Sequence, residues 1–271
     1  MEILNTLHNL MGLVFVLGTI ISMGLSLTIA QITGPLRNVR FVIIALLANF
    51  VIPPILAFIL IRVFSLDESL AVGLLLVSLA AGAPSLPKTA VFAKVDTAAA
   101  TGLMVLLVVA TIIILPIALP LLLTGISVTF WDIASGLVYL ILIPLAVSLF
   151  VRARYPEVAA TALPHFTQAS NLSLLILLVL MVVLNFSDVV GLLGSGGLLA
   201  SLILVLLTVV GGYLLGSLGK AGSWLQGRGA GQRNIAAAMV VATMNFGNDE
   251  VVMVVVYSLI VMVVLIPLAL E

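Results

Sequence analysis

The chain has 271 residues, 63% of them hydrophobic and 7% charged, and its formal net charge is zero. A soluble domain carries about 25% charged residues, so this composition cannot cover a water-facing surface, and the balanced charge offers nothing to a nucleic acid. The absence of cysteine and the presence of only His8 and His165 exclude disulfides and thiolate chemistry, and make a His/Cys metal site improbable.

A spanning helix needs roughly 20 mostly apolar residues. Such segments fall at 10–32, 41–63, 70–93, 97–123, 131–151, 168–186, 190–218, 232–248 and 250–270, which predicts an all-α polytopic membrane protein with about nine crossings and one transmembrane domain over 1–271. The first segment lacks the basic flank of a cleavable signal and is expected to stay. Lys and Arg concentrate in cytoplasmic loops. With the N-terminus outside, the inner loops carry Arg37, Arg40, Lys94, Arg152, Arg154, Lys220, Arg228 and Arg233, and the outer ones only Arg62. Asp67, Glu68, Asp132, Asp188, Asp249 and Glu250 gather at outer ends. The expectation is a plasma (inner) membrane protein with its C-terminus in the cytoplasm and the bilayer as its main partner.

Two segments carry interruptions. In the third, Gly82, Pro84 and Pro87 precede Lys88 and Thr89. Each proline removes a backbone donor, and a break at membrane depth is tolerated only inside protein or against a water-filled cavity. In the eighth, Thr243, Asn245 and Asn248 surround Gly247, with Asp249 next. That stretch reads either as a second break or as a helix end meeting the external interface. Paired interrupted helices in corresponding positions point to a transporter site, here within an inverted repeat of about 10–124 and 129–271. Their half-helix ends supply partial charges that suit an anionic substrate and a coupling cation.

Other polar residues have plainer readings. Asn49, ahead of Pro53-Pro54, is placed equally well in a cavity or in a helix contact. Gly211, Gly212 and Gly216 allow close helix approach. Trp131 and Trp224 sit at segment ends as interfacial anchors. The run from Lys220 to Gly231 has no phosphate-loop spacing and is expected to be a flexible cytoplasmic linker. No Gly-x-Ser-x-Gly, zinc-binding His pair or pair of buried carboxylates is present, so an enzyme is not expected.

Several stretches together resemble one transporter family. Ser22-Met23-Gly24-Leu25-Ser26-Leu27-Thr28, followed by a basic loop, resembles the second helix of the bile acid:sodium symporter family. Asn49 to Pro54 is similar to its Gln-Phe-x-x-x-Pro stretch, and Val77 to Asp96 to its fourth, broken helix. Gln232 to Ala236 resembles the entry to its ninth helix, and Met244-Asn245-Phe246-Gly247 the Gln-Asn-Ser-Gly at that helix's break. The resemblance implies two inverted five-helix repeats, nine helices where the first is missing. It also implies a core domain with two crossing broken helices (segments two, three, four, seven, eight and nine) and a panel domain (one, five and six) that rocks against it.

The implied function is secondary transport of a small organic anion by alternating access. No cofactor is implied, sodium or a proton being the coupling candidates. The family's sodium pattern is largely replaced: Leu86 or Pro87 stands for its Asn, Ala100 and Met104 for its Ser and Thr, Ala238 or Val240 for its Glu, and Asn49 for its Gln. The candidate substrate and ion contacts are Asn49, Ser85, Lys88, Thr89, Thr243, Asn245, Asn248 and Asp249; metal ligands are left unassigned. Lys88 has three readings: a fixed ammonium at the helix crossing that exchanges a proton when desolvated, a partner for a substrate carboxylate, or a side chain snorkelling to the cytoplasmic interface. Two other functions stay open. One is a cation/proton antiporter using Lys88 with Asn245, Asn248 or Asp249. The other is a membrane scaffold or receptor that transports nothing.

Overall fold

The computed structural model describes residues 2–123, 128–184, 194–219 and 222–265, and no strand occurs among them. The first expected segment forms α1 (Glu2–Ser26), followed by a short α2 (Ile29–Leu36). The second forms α3 (Val39–Phe50) and α4 (Ile52–Val63), which meet at Val51 because Pro53 and Pro54 open α4, where a helix does not miss their amide donors. The third divides into α5 (Glu68–Leu79) and a seven-residue α6 (Leu86–Phe92). Then follow α7 (Thr97–Leu122), α8 (Phe130–Leu137), a π turn over Val138–Leu142, α9 (Ile143–Arg154) and α10 (Pro156–Leu184). The chain closes with α11 (Gly197–Leu218), α12 (Ser223–Gly231), α13 (Ile235–Asn245) and α14 (Asn248–Leu265).

Among the described residues, five helical stretches are long and apolar enough to cross a membrane: Thr6–Ser26, Val39–Val63, Thr97–Leu122, Phe130–Arg154 and Gly197–Leu218. Their outward side chains are large and apolar, among them Ile55, Phe58, Val63, Ile113, Leu121, Val147, Phe150, Leu214 and Leu218. A water-facing surface would not display them so densely, whereas hydrocarbon solvates them at no cost. The helices buried on all sides are the interrupted ones and their neighbour. Val72 to Leu79 on α5, Ala236 to Ala242 on α13 and Val251 to Tyr257 on α14 are enclosed throughout.

Two packing units frame the centre. Along one side, α1 lies against α9 and α10. Gly18 meets the backbone of Phe166 and Ser170, Gly24 meets Ser148, and Thr19 and Ser170 share a 2.6 Å hydroxyl–hydroxyl hydrogen bond. Along the other, α11 packs on α12, α4 and α14. A β-carbon on Gly212 would lie 2.5 Å from the carbonyl oxygen of Gln226, and one on Gly227 2.9 Å from that of Val209. The α11–α12 contact is thus backbone against backbone.

That contact corrects one expectation. The glycine-rich run around Gly227, Gly229 and Gly231 is no flexible linker; from Ser223 onward it is a buried helix, and Arg228 and Arg233 are buried with it. Glycine weakens an isolated helix, but here small residues nest against Gly212 and Gly216, and packing overrides propensity. A second correction follows. The interruption of the second broken helix is at Gln232–Asn234, between α12 and α13, and not in the Thr243–Asp249 stretch, which is the turn from α13 into α14. Thr243 and Asn245 do not interrupt α13 ahead of its end at Asn245, because the Thr243 hydroxyl donates to Met239 O at 2.7 Å and Asn245 Nδ2 to Val241 O at 3.1 Å, each onto the preceding turn of that helix.

Candidate substrate cavity and the helix crossing

The break after α5 begins where the chain can no longer bond to itself. Gly82 takes φ of +88°, a conformation side chains disfavour, and a β-carbon there would lie 2.6 Å from Val108 N. The Ala81 N–H, which would close the turn onto Val77 O, turns to Thr111 Oγ1 on α7 at 2.9 Å. The same hydroxyl donates back to Ala81 O at 3.0 Å.

The carbonyls left open are met from the second break. Asn234 N–H donates to Ala80 O at 2.8 Å, tying the two interruptions together. The Arg233 guanidinium, 2% exposed, donates from Nε to Val77 O at 2.9 Å and from Nη2 to Ser78 O and to Asn49 O. Its Nη1 donates to Ala230 O at 3.2 Å and to Asn49 Oδ1 at 3.4 Å. Five N–H donors therefore meet five oxygens, all of them neutral. A buried charge costs several kcal/mol unless hydrogen bonds satisfy it, and here the negative end of the α5 half-helix adds to that satisfaction. Asn49 in turn donates from Nδ2 to Ala45 O at 2.9 Å.

Beside this crossing lies a cavity of about 600 Å³. One wall is α1 and α10, with Phe15, Thr19, Ser22, Met23 and Ser26 facing Leu163, Thr167, Ser170, Asn171 and Leu174. The opposite wall is the first break and α6, with Ser85, Lys88 and Thr89, joined by Thr101, Gln232, Arg233, Ser258 and Met262. Thr89 Oγ1 approaches Gln232 Oε1 at 3.5 Å and also donates to Leu86 O at 2.9 Å. Ser85 and Lys88 are exposed, and no Asp or Glu lines the space among the described residues. An ammonium near neutral hydroxyls, with no carboxylate beside it, favours an anion.

Of the eight residues singled out from sequence, the structure gathers Ser85, Lys88 and Thr89 on the cavity wall and sets Asn49 at the crossing behind it. It does not bring Thr243, Asn245 or Asp249 to that cavity. Asn248 opens α14, and its side chain lies outside the described ones. The crossing itself holds Arg233 where an ammonium from Lys88 was one expectation. Gln232, Arg233 and Asn234, read from sequence only as a helix entry at a basic loop, and Thr111 were not among the candidate site residues. The paired spacings Gly212-x-x-x-Gly216 and Gly227-x-x-x-Gly231 were the available signal that the stretch ahead of Arg233 is a packed helix.

A comparison with curated proteins finds no match. Residues 11–192, more than half of the chain, match the sequence profile of the Sodium Bile acid symporter family, covering the first broken helix and ending ahead of the second. An all-helical, lipid-facing exterior and an interrupted helix at a central cavity agree with that match, and the chain belongs to the sodium bile acid symporter family of membrane transporters.

Proposed function

We propose that this chain is a secondary transporter of small organic anions that works by alternating access at the cavity between α1/α10 and the crossing of the broken helices. The observation that carries the reading is the wall chemistry: in a space of about 600 Å³, Lys88 and Arg233 are the charged side chains among the described lining residues, with no carboxylate, and the rest are hydroxyl, amide and apolar. That size falls in the range of about 300–1,000 Å³ typical of pockets for small organic ligands. Lys88 would take the carboxylate or other acid group, the hydroxyls of Ser85 and Thr89 would orient it, and Phe15, Met23, Leu174 and Met262 would enclose an apolar body.

Nine crossings, with α1, the α8–α9 segment and α10 as a panel and the rest as a core, are in keeping with the two packing units. A mouth open to the cytoplasm is supported by Gln31 and Thr97 on the cavity lining, close in sequence to the basic Arg37, Arg40 and Lys94 that the charge rule assigns to that side. The antiporter reading would use Asn245, Asn248 or Asp249 with Lys88; Asn245 and Asp249 do not line the cavity, and the Asn248 side chain lies outside the described ones.

The test is thermal stabilisation of purified protein by a panel of organic anions, followed by uptake into proteoliposomes. A binder of the native state raises stability by mass action. Lys88→Met is expected to raise the anion concentration needed for both the stabilisation and the uptake by about 10–100-fold while leaving the unliganded unfolding midpoint unchanged. Wild-type uptake in the variant sinks the reading.

A further inference from the structure

The two walls of the cavity offer a ligand opposite halves of a hydrogen bond. A serine or threonine hydroxyl has one proton to give and two lone pairs that accept. In a helix that proton often turns back to the carbonyl three or four residues earlier. On the α1/α10 wall the lining hydroxyls follow this pattern. Ser22 Oγ donates to Thr19 O at 2.9 Å, Ser26 Oγ to Met23 O at 2.7 Å and Thr167 Oγ1 to Leu163 O at 2.9 Å. Thr19 and Ser170 share their 2.6 Å bond, and Ser170 also reaches Phe15 O at 3.3 Å, so a relay from Thr19 through Ser170 to Phe15 O spends both protons. What these side chains turn to the cavity is acceptor oxygen. Asn171, the amide on the same wall, can donate or accept and discriminates nothing.

The opposite wall is the reverse. The Lys88 ammonium carries three N–H donors and no acceptor. The exposed Ser85 hydroxyl makes no capping bond to α6, which leaves its proton available. Arg233 adds positive charge at the cavity edge but no donor, because its N–H groups are spent on the helix ends and Asn49. Two positive side chains without a carboxylate repel any second cation on the ligand.

We infer that the transported ligand is two-ended: an acid group held by Lys88 and Ser85, and away from it a neutral hydrogen-bond donor, a hydroxyl or an amide N–H, received by Ser22, Ser26 and Thr167. The inference rests on the anion reading above and deepens it. Such a ligand bridges the α1/α10 wall and the wall of the first broken helix. A far end that is only an acceptor, such as an ether, sets lone pairs against lone pairs. An apolar far end strips water from the hydroxyl oxygens and returns no bond. An ammonium meets the field of Lys88 and Arg233. The hydroxyls of this wall thus determine specificity, while the affinity for an anion comes from Lys88.

The experiment compares straight-chain acids matched in length: an alkanoate, its ω-hydroxy acid, the methyl ether of that hydroxy acid, and the ω-amino acid. Each is titrated against the thermal unfolding of purified wild-type protein over a series of chain lengths, and the half-stabilising concentration is read. At the length that spans the walls, the hydroxy acid is expected to act at about tenfold lower concentration than the alkanoate and the ether, the worth of about one hydrogen bond. The amino acid is expected to be the weakest. If hydroxy acid and ether are equally potent at every length, or the amino acid matches the hydroxy acid, this inference falls while the anion reading stands. If none of the acids stabilises the protein, the anion reading fails and takes the inference with it. The double variant Ser22→Ala, Thr167→Val removes two acceptor oxygens and is expected to narrow the gap between hydroxy acid and alkanoate to below about threefold. Thr167→Ser, which keeps its oxygen, is expected to retain the gap. The gap is a ratio within one variant, so a merely destabilised fold shifts both acids alike and leaves it unchanged. A tenfold gap that survives the double variant overturns the assignment to this wall.

Discussion

Thr111 is the sharpest test of how the first break is held. Its side chain is 1% exposed, and one hydroxyl both accepts from Ala81 N–H at 2.9 Å and donates to Ala81 O at 3.0 Å. Thr111→Val keeps the shape and removes both bonds. Orphaning a buried polar group costs about 1–3 kcal/mol. Two are orphaned together, so the loss is about 2–6 kcal/mol. The added methyl in an apolar site offsets at most about 0.8 kcal/mol of this, so the hydrogen-bond loss wins with a net of about 1–6 kcal/mol. At about 2–4 °C per kcal/mol for a chain of this order, the unfolding midpoint falls by about 2–24 °C. The chain has no cysteine, so thiol-reactive dyes are silent, and intrinsic fluorescence of Trp131 and Trp224 is the suitable signal. Thr111→Ser keeps the hydroxyl and is the control. A valine variant within about 1 kcal/mol of wild type, the range of an ordinary substitution, or a serine variant that loses as much as the valine one, refutes the account of the break.

Loss of the Lys88 ammonium removes a charge-assisted hydrogen bond worth about 1.5–3 kcal/mol, so Lys88→Met is expected to weaken anion affinity by about 10–100-fold, measured by the ligand dependence of the unfolding midpoint. Gly212→Ala drives a β-carbon to 2.5 Å from Gln226 O; separating α11 from α12 is expected to cost about 1–3 kcal/mol, the usual range of overpacking, checked by thermal unfolding. Asn245→Ala is expected to change stability by less than about 1 kcal/mol and to leave anion affinity unchanged, because Asn245 bonds only to its own helix and stands off the cavity. A large drop in affinity for this variant would relocate the site.

The first broken helix was legible because its breakers are local. Pro84 and Pro87 cannot donate, Gly82 alone accepts φ of +88° without strain, and Lys88 follows at once. From them alone come Ser85, Lys88 and Thr89 on the wall. The second break carries no such mark. Gln232-Arg233-Asn234 contains ordinary polar residues after a glycine-rich run, and a basic, flexible loop is the natural reading until α11 is seen beneath it. The Thr243–Asp249 stretch misled for the converse reason. Thr and Asn look like breakers in an apolar sequence, yet each can satisfy its polar atoms on the preceding turn of its own helix.

Composition, periodicity and the alternation of basic loops settle from sequence alone that the chain is helical and lives in lipid, because in hydrocarbon every backbone group must be satisfied within the chain and few charges can be tolerated. They also locate the first interruption, since proline and glycine act on the backbone at their own positions. Where the chain's freed carbonyls find their partners is a different matter. Asn49, Val77, Ser78 and Ala230 reach one guanidinium across as many as 184 positions of sequence. A contact of that separation leaves no local pattern, so only the packed tertiary structure could decide that Arg233 leaves the loop side and closes the crossing.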